Sequence, residues 1–219
     1  LDRNIGRVLA ELKAQGLDQN TLVIFTSDNG GAHYIGLDDL NKPYRGWKAT
    51  FFEGGTRVPF FMQLPGVIAP GSQFTAPVSH FDIFATSAAL AGVQPPADRV
   101  IDGVNLIPFA RGEQVGRPHE QMFWRSGAYQ VARSGDWKLQ VNQTQDKLWL
   151  FNLQDDPTEQ HNLVDAEPAR VKELLAQLAE FNSQQKAPLW PSLVEAPILI
   201  DKPLNRPQNA DDEFIYWSN

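Results

Sequence analysis

The stretch Thr21-Leu22-Val23-Ile24-Phe25-Thr26-Ser27-Asp28-Asn29-Gly30-Gly31 constrains the chain more than any other. An apolar run stops abruptly in a carboxylate, an amide and two glycines. The run is too short for a globular helix and is rich in β-branched and aromatic residues, so it reads as a buried strand. In open α/β sheets, ligands gather just beyond the carboxyl ends of strands, which is where Asp28 and Asn29 fall. A carboxylate beside an amide oxygen suits a hard, oxygen-seeking cation such as Ca²⁺ or Mg²⁺. Gly30 and Gly31 let the backbone turn sharply without a Cβ clash. Asn-Gly after a strand is equally a hairpin signal. Against the hairpin, the next strand-like run is Arg57 to Gln63, far outside the usual ~2–5 residue hairpin loop.

The 219 residues suffice for one good domain or one and a half, and 42% hydrophobic with 11% aromatic residues can build a core. A formal charge of −7 argues against an electrostatic nucleic-acid binder, and no apolar run is long enough to span a bilayer. The overall charge does not help an anionic substrate, so an anion site has to be locally positive or filled by a metal. The chain has no cysteine, which excludes disulfides, thiolate metal sites and a cysteine nucleophile within it. It shows no signal-peptide pattern and opens directly on an amphipathic helix, which suggests a chain beginning in the middle of something.

That helix is predicted over Asp2 to Gln15, with Ile5, Val8, Leu9 and Leu12 as one buried stripe and Gly16 as its stop. Helix, strand and glycine turn in succession are the unit of a doubly wound sheet. Residues 32–53 read as loop, and a glycine turn at Glu53-Gly54-Gly55 leads into the Arg57–Gln63 strand. Ser79 and Asp82 have capping-box spacing before a helix that runs to Leu90, with His80 inside the cap.

Polar, glycine-rich residues 112–118 suggest a domain boundary. After it, Gln121–Arg125, Tyr129–Ser134, Trp137–Val141 and Leu148–Asn152 read as short strands, and Pro168–Gln184 as an amphipathic helix on Val171, Leu174, Leu175 and Leu178. The acids of residues 155–159 read as turn caps rather than metal ligands. From Ala187 the proline-rich tail reads as extended, wrapping chain, with Trp190, Ile198 and Phe214–Trp217 as anchors. Asn142-Gln143-Thr144 is a glycosylation sequon by pattern only.

Three motifs in one register, Ser27-Asp28-Asn29-Gly30, Arg45-Gly46-Trp47-Lys48 and Glu53-Gly54-Gly55-Thr56-Arg57-Val58-Pro59, resemble the second half of a type I, formylglycine-dependent sulfatase of the alkaline phosphatase superfamily. The resemblance runs from Leu1 to about Leu163. It implies an α/β chain: part of a large mixed or parallel α/β/α sheet domain (1–112), then a small antiparallel sheet with a packing helix (113–186), then the tail (187–219). It implies Asp28 and Asn29 as metal ligands, Ca²⁺ before Mg²⁺, and Lys48 as the catalytic residue that contacts sulfate. His33, Arg45 and His80 follow as weaker substrate-contact candidates, Arg45 being equally able to brace its loop.

The family's Cys/Ser-x-Pro/Ala-x-Arg motif, source of the formylglycine nucleophile, is absent from these residues, as are the paired aspartates that complete the metal site. In the family both lie upstream. The resemblance therefore implies a C-terminal half, inactive alone, whose partner is the N-terminal half of the same protein. The implied reaction is hydrolysis of an aryl or carbohydrate sulfate ester, in a periplasmic or secreted enzyme. A phosphodiester or phosphonate monoester hydrolase of the same superfamily, and a non-catalytic binding module, are the alternatives.

Overall fold

The computed structural model describes residues 1–190 and 192–218. In chain order its elements are α1 (Asp2–Ala14), β1 (Val23–Thr26), α2 (Glu53–Thr56), β2 (Phe60–Gln63), α3 (Phe81–Leu90) and α4 (Ile107–Ala110). The strands β3 (Gln121–Ser126), β4 (Tyr129–Ser134), β5 (Trp137–Asn142) and β6 (Lys147–Asn152) follow, then α5 (Pro168–Ser183), β7 (Glu195–Leu199) and β8 (Phe214–Ser218). Two compact units result: Leu1–Thr26 with Phe60–Glu120, and Ser27–Pro59 with Gln121–Asn219.

In the first unit, β1 and β2 pair antiparallel, Val23 opposite Gln63 and Thr26 opposite Phe60. The run expected to be extended from Arg57 pairs only from Phe60, because Glu53–Thr56 coils into a helical turn first. The helix α1 forms where its periodicity places it, but its stripe is not buried. Ile5 and Leu12 are half-buried, while Val8 and Leu9 are exposed. A 3.6-residue period states which face requires cover, not what covers it.

At the head of α3 only half of the capping box forms: the N-cap is His80, and the Ser79 hydroxyl accepts the Phe81 amide at 3.4 Å rather than the Asp82 amide. The Asp82 carboxylate accepts the Ser79 amide at 2.7 Å, the Val104 amide at 2.8 Å and His119 Nε2 at 2.8 Å. Burial pushes the Asp82 carboxyl up, but the bonds from His119, Ser79 and Val104 outweigh it and hold it below the usual range. Among the described residues no helix is long and apolar enough to cross a membrane.

The second unit is built on the antiparallel meander β3-β4-β5-β6, in register Phe123–Ala132, Val131–Gln140 and Gln140–Trp149. Side chains alternate between its faces. Ala132, Leu139, Val141 and Leu150 pack under Val171, Leu174 and Leu178 of α5. The opposite face presents Tyr129, Val131, Trp149 and Phe151, which cluster with Phe52 and with Ile198, Ile200 and Ile215.

Those isoleucines correct the expectation of a plainly extended tail, since β7 and β8 form a two-stranded sheet with Ile198 opposite Ile215. Trp190, expected to anchor, is 84% exposed. Asn142 of the sequon is buried, and its amide donates to the Tyr216 carbonyl at 3.2 Å.

Candidate functional site

The loop Ser27–Pro59 carries all three motifs, and its own backbone draws them together. The Gly30 amide donates to the Gly55 carbonyl at 3.0 Å, and the Lys48 amide donates to the Gly31 carbonyl at 3.0 Å. The Gly54 amide donates to the Arg45 carbonyl at 2.7 Å. The acid–amide tip, the lysine segment and the glycine turn are therefore directly hydrogen-bonded to one another.

Two glycines make this approach possible. A Cβ on Gly30 would stand 1.7 Å from the Gly54 carbonyl oxygen, and one on Gly55 would stand 2.1 Å from the Thr50 carbonyl oxygen. Gly30 is required for close backbone contact; its φ is not positive.

Asn41 straps the same loop from inside. Its Oδ1 accepts the Gly31 amide at 2.7 Å, and its Nδ2 donates to the carbonyls of Gly31 and Gly46, each at 2.9 Å. Nothing in the sequence singled Asn41 out, because an asparagine in a loop is commonplace.

The side chains the loop presents are free to act. Asp28 and Lys48 are both exposed, and neither the carboxylate nor the ammonium makes a hydrogen bond or ion pair among the described residues. Asn29 donates Nδ2 to the Gly30 carbonyl at 2.8 Å, which leaves its Oδ1 unbonded among the described residues. An ionised carboxylate oxygen beside an amide oxygen is the donor chemistry a hard divalent cation takes. The two residues fit part of such a site. Among the described residues no group of three or more histidines and acids converges on a metal position.

The weaker candidates separate. His33 is half-buried; burial holds its pKa down, its Nδ1 has no partner among the described residues, and its carbonyl accepts the Leu204 amide at 3.0 Å. The Arg45 guanidinium is heavily engaged. It donates to Asp201 at 2.6 and 2.8 Å, to Glu213 at 2.9 Å and to the Glu159 carbonyl at 2.9 Å. Burial lowers its pKa, and these carboxylates more than restore it, so the net shift is upward. Four of its five N–H donors are used in this way, which makes Arg45 a brace for the loop. His80 belongs to the other unit, where its Nε2 lies 3.2 Å from Thr26 Oγ1.

Glu53, which reads from the sequence as a brace for the Lys48 loop, belongs to a buried ionic cluster whose other members, Lys138 and Glu159, the sequence did not single out. Lys138 on β5 is 1% exposed, and its Nζ lies 2.8 Å from Glu53 Oε1 and 3.0 Å from Glu159 Oε1. Burial pushes both carboxyls up. Lys138, helped by Arg133 and Arg57, outweighs burial at Glu53, which ends low. At Glu159 the pull of Lys138 is opposed by the Glu53 charge as well as by burial, and this carboxyl ends high.

Residues 1–93 match the sulfatase family model. Rat (Rattus norvegicus) steryl-sulfatase is 41% identical over 164 residues, 72% of this chain and 28% of the relative. Those 93 residues are a sulfatase-family segment. The mouse (Mus musculus) N-acetylgalactosamine-6-sulfatase is 38% identical over 144 residues, 64% of this chain and 27% of the relative. Among solved structures, Ps i-CgsB in complex with k-i-k-neocarrahexaose superposes with a TM-score of 0.77 at 30% identity, over 86% of this chain and 42% of that one. The chain thus spans less than half the length of these relatives.

Proposed function

We propose that this chain supplies part of the metal site and a sulfate-binding lysine to a sulfuric ester hydrolase acting on a sulfated carbohydrate or aryl sulfate. The observation that carries the reading is the joining of the three family motifs through Gly30, Gly31 and Gly55, with an unengaged carboxylate and an unengaged ammonium at their surface. The relatives include sulfatases of a steroid and of an amino sugar, and the neighbouring structure holds a carbohydrate, which favours this substrate range.

Asp28 and Asn29 would hold Ca²⁺, which when bound would offset charge on a sulfate oxygen. Lys48 places a second positive charge toward the nonbridging oxygens, where negative charge grows as the S–O bond to the leaving alcohol breaks. Arg45 holds the segment that ends in Lys48. The nucleophile, formed from a formylglycine, and the remaining metal ligands would come from an N-terminal half of the same protein, in a periplasmic or secreted enzyme.

Lys48→Ala in the intact enzyme is expected to lower turnover ~10²–10³-fold, the loss typical of one electrostatic donor. Turnover near the native rate removes Lys48 from the site. Calcium titration followed by thermal melting reads the metal separately: Asp28→Asn should abolish the Ca²⁺-dependent rise in melting temperature. Sulfate and phosphonate esters assayed side by side decide the ester class.

A further inference from the structure

The buried cluster under the Glu53 turn touches no candidate ligand position, yet it is bonded throughout. Glu159 Oε1 accepts Lys138 Nζ at 3.0 Å and Gln140 Nε2 at 3.1 Å, and its Oε2 accepts the Glu53 amide at 2.5 Å. Gln140 Oε1 accepts the Tyr129 hydroxyl, whose oxygen accepts the Phe51 amide at 2.9 Å. Glu159 also receives Arg45 at its backbone carbonyl. Lys48 therefore lies on a segment bounded by Arg45 and Glu53, and both bounding residues are tied to Glu159.

Such a cluster does not explain itself as a source of stability. Removing three ionisable groups from water is costly, and apolar replacements of buried ion triads are often neutral or stabilising. Glu159 also sits at φ 58°, a conformation that non-glycine residues adopt at some cost. What the cluster supplies is direction, because hydrogen bonds of this kind fix orientation as apolar contacts do not.

We propose that Glu159 and Lys138 are positioning residues for the candidate sulfate site, fixing the Glu53-Gly54-Gly55 turn so that the Asp28-Asn29 tip and Lys48 hold one arrangement. The route is short. Glu159 holds the Glu53 amide at the start of α2, Lys138 holds the Glu53 carboxylate, and α2 carries the Gly55 carbonyl that receives Gly30. The inference rests on the sulfatase reading above.

The test is a double-mutant cycle in the intact enzyme, with melting temperature recorded for every variant. Glu159→Ala should lower kcat ~10–10²-fold with a smaller change in KM, as expected for a misplacement of an ångström or less at the site. In a Lys48→Ala background the same substitution should lower kcat by a clearly smaller factor than in the native background, since one of the two groups it positions is gone. Lys138→Met should behave alike and serves if Glu159→Ala does not fold. Additive losses, or an unchanged kcat in folded Glu159→Ala, overturn the positioning role alone. If Lys48→Ala by itself leaves turnover unchanged, the functional reading falls and this inference falls with it.

Discussion

Gly30→Ala is the smallest change that separates the motifs. The new methyl carbon would stand 1.7 Å from the Gly54 carbonyl oxygen, 2.8 Å from its carbon and 3.0 Å from Gly55 Cα. Ordinary contact lies near ~3.5 Å, so the two backbones have to part by more than about 1 Å. The Gly54 side cannot yield freely, because its amide is held by the Arg45 carbonyl at 2.7 Å and Glu53 is pinned by Lys138. Separation breaks the Gly30–Gly55 bond, a loss of ~1 kcal/mol, and overpacking adds ~1–3 kcal/mol, so the loop loses about 2–4 kcal/mol. A displacement of that size at the site costs ~10²-fold in rate. Urea unfolding and turnover of the intact enzyme measure the two effects. A Gly30→Ala enzyme with the native unfolding midpoint and native turnover would refute the claim that this contact assembles the site.

Two further outcomes are expected. Phe52, fully buried against Trp149 and Phe151, should cost ~3–5 kcal/mol when replaced by Ala, read as a lowered urea midpoint. Glu213 should contribute to an acid-sensitive stability. Burial pushes its carboxyl up, but hydrogen bonds from Lys147, Arg45 and Trp149 hold it down at about 2 from an ordinary 4.5. A depressed carboxyl stabilises above the unfolded value and loses that contribution as pH falls through the folded one. The melting-temperature gap between native and Glu213→Gln protein should therefore be constant above about pH 5 and close as pH falls toward about 2.

The sequence states most of this fold where local pattern and burial agree. The helix α5 and the strands β3 to β6 fall within a residue or two of their predicted limits, because alternation and the 3.6-residue period match what packs on them. It misleads where cover comes from far along the chain. In Trp137-Lys138-Leu139-Gln140-Val141 the polar alternates suggest a solvated face, yet Lys138 and Gln140 are buried by the loop and by a tail whose strands were invisible among prolines and polar residues. For the same reason Asp28, Asn29 and Lys48 were legible as candidates, being chemistry on a short motif. Glu159 and Asn41 were not, since their roles exist only once distant segments meet.

Between α5 and β7 the chain leaves Leu189, Trp190 and Leu193 in solvent. Everything β7 and β8 provide, including the Asp201 and Glu213 hold on Arg45 and the isoleucines over Phe52, depends on this one covalent leash. Proteolytic nicking there would leave every residue in place but turn an internal clasp into an encounter between two molecules, so its closure would come to depend on dilution.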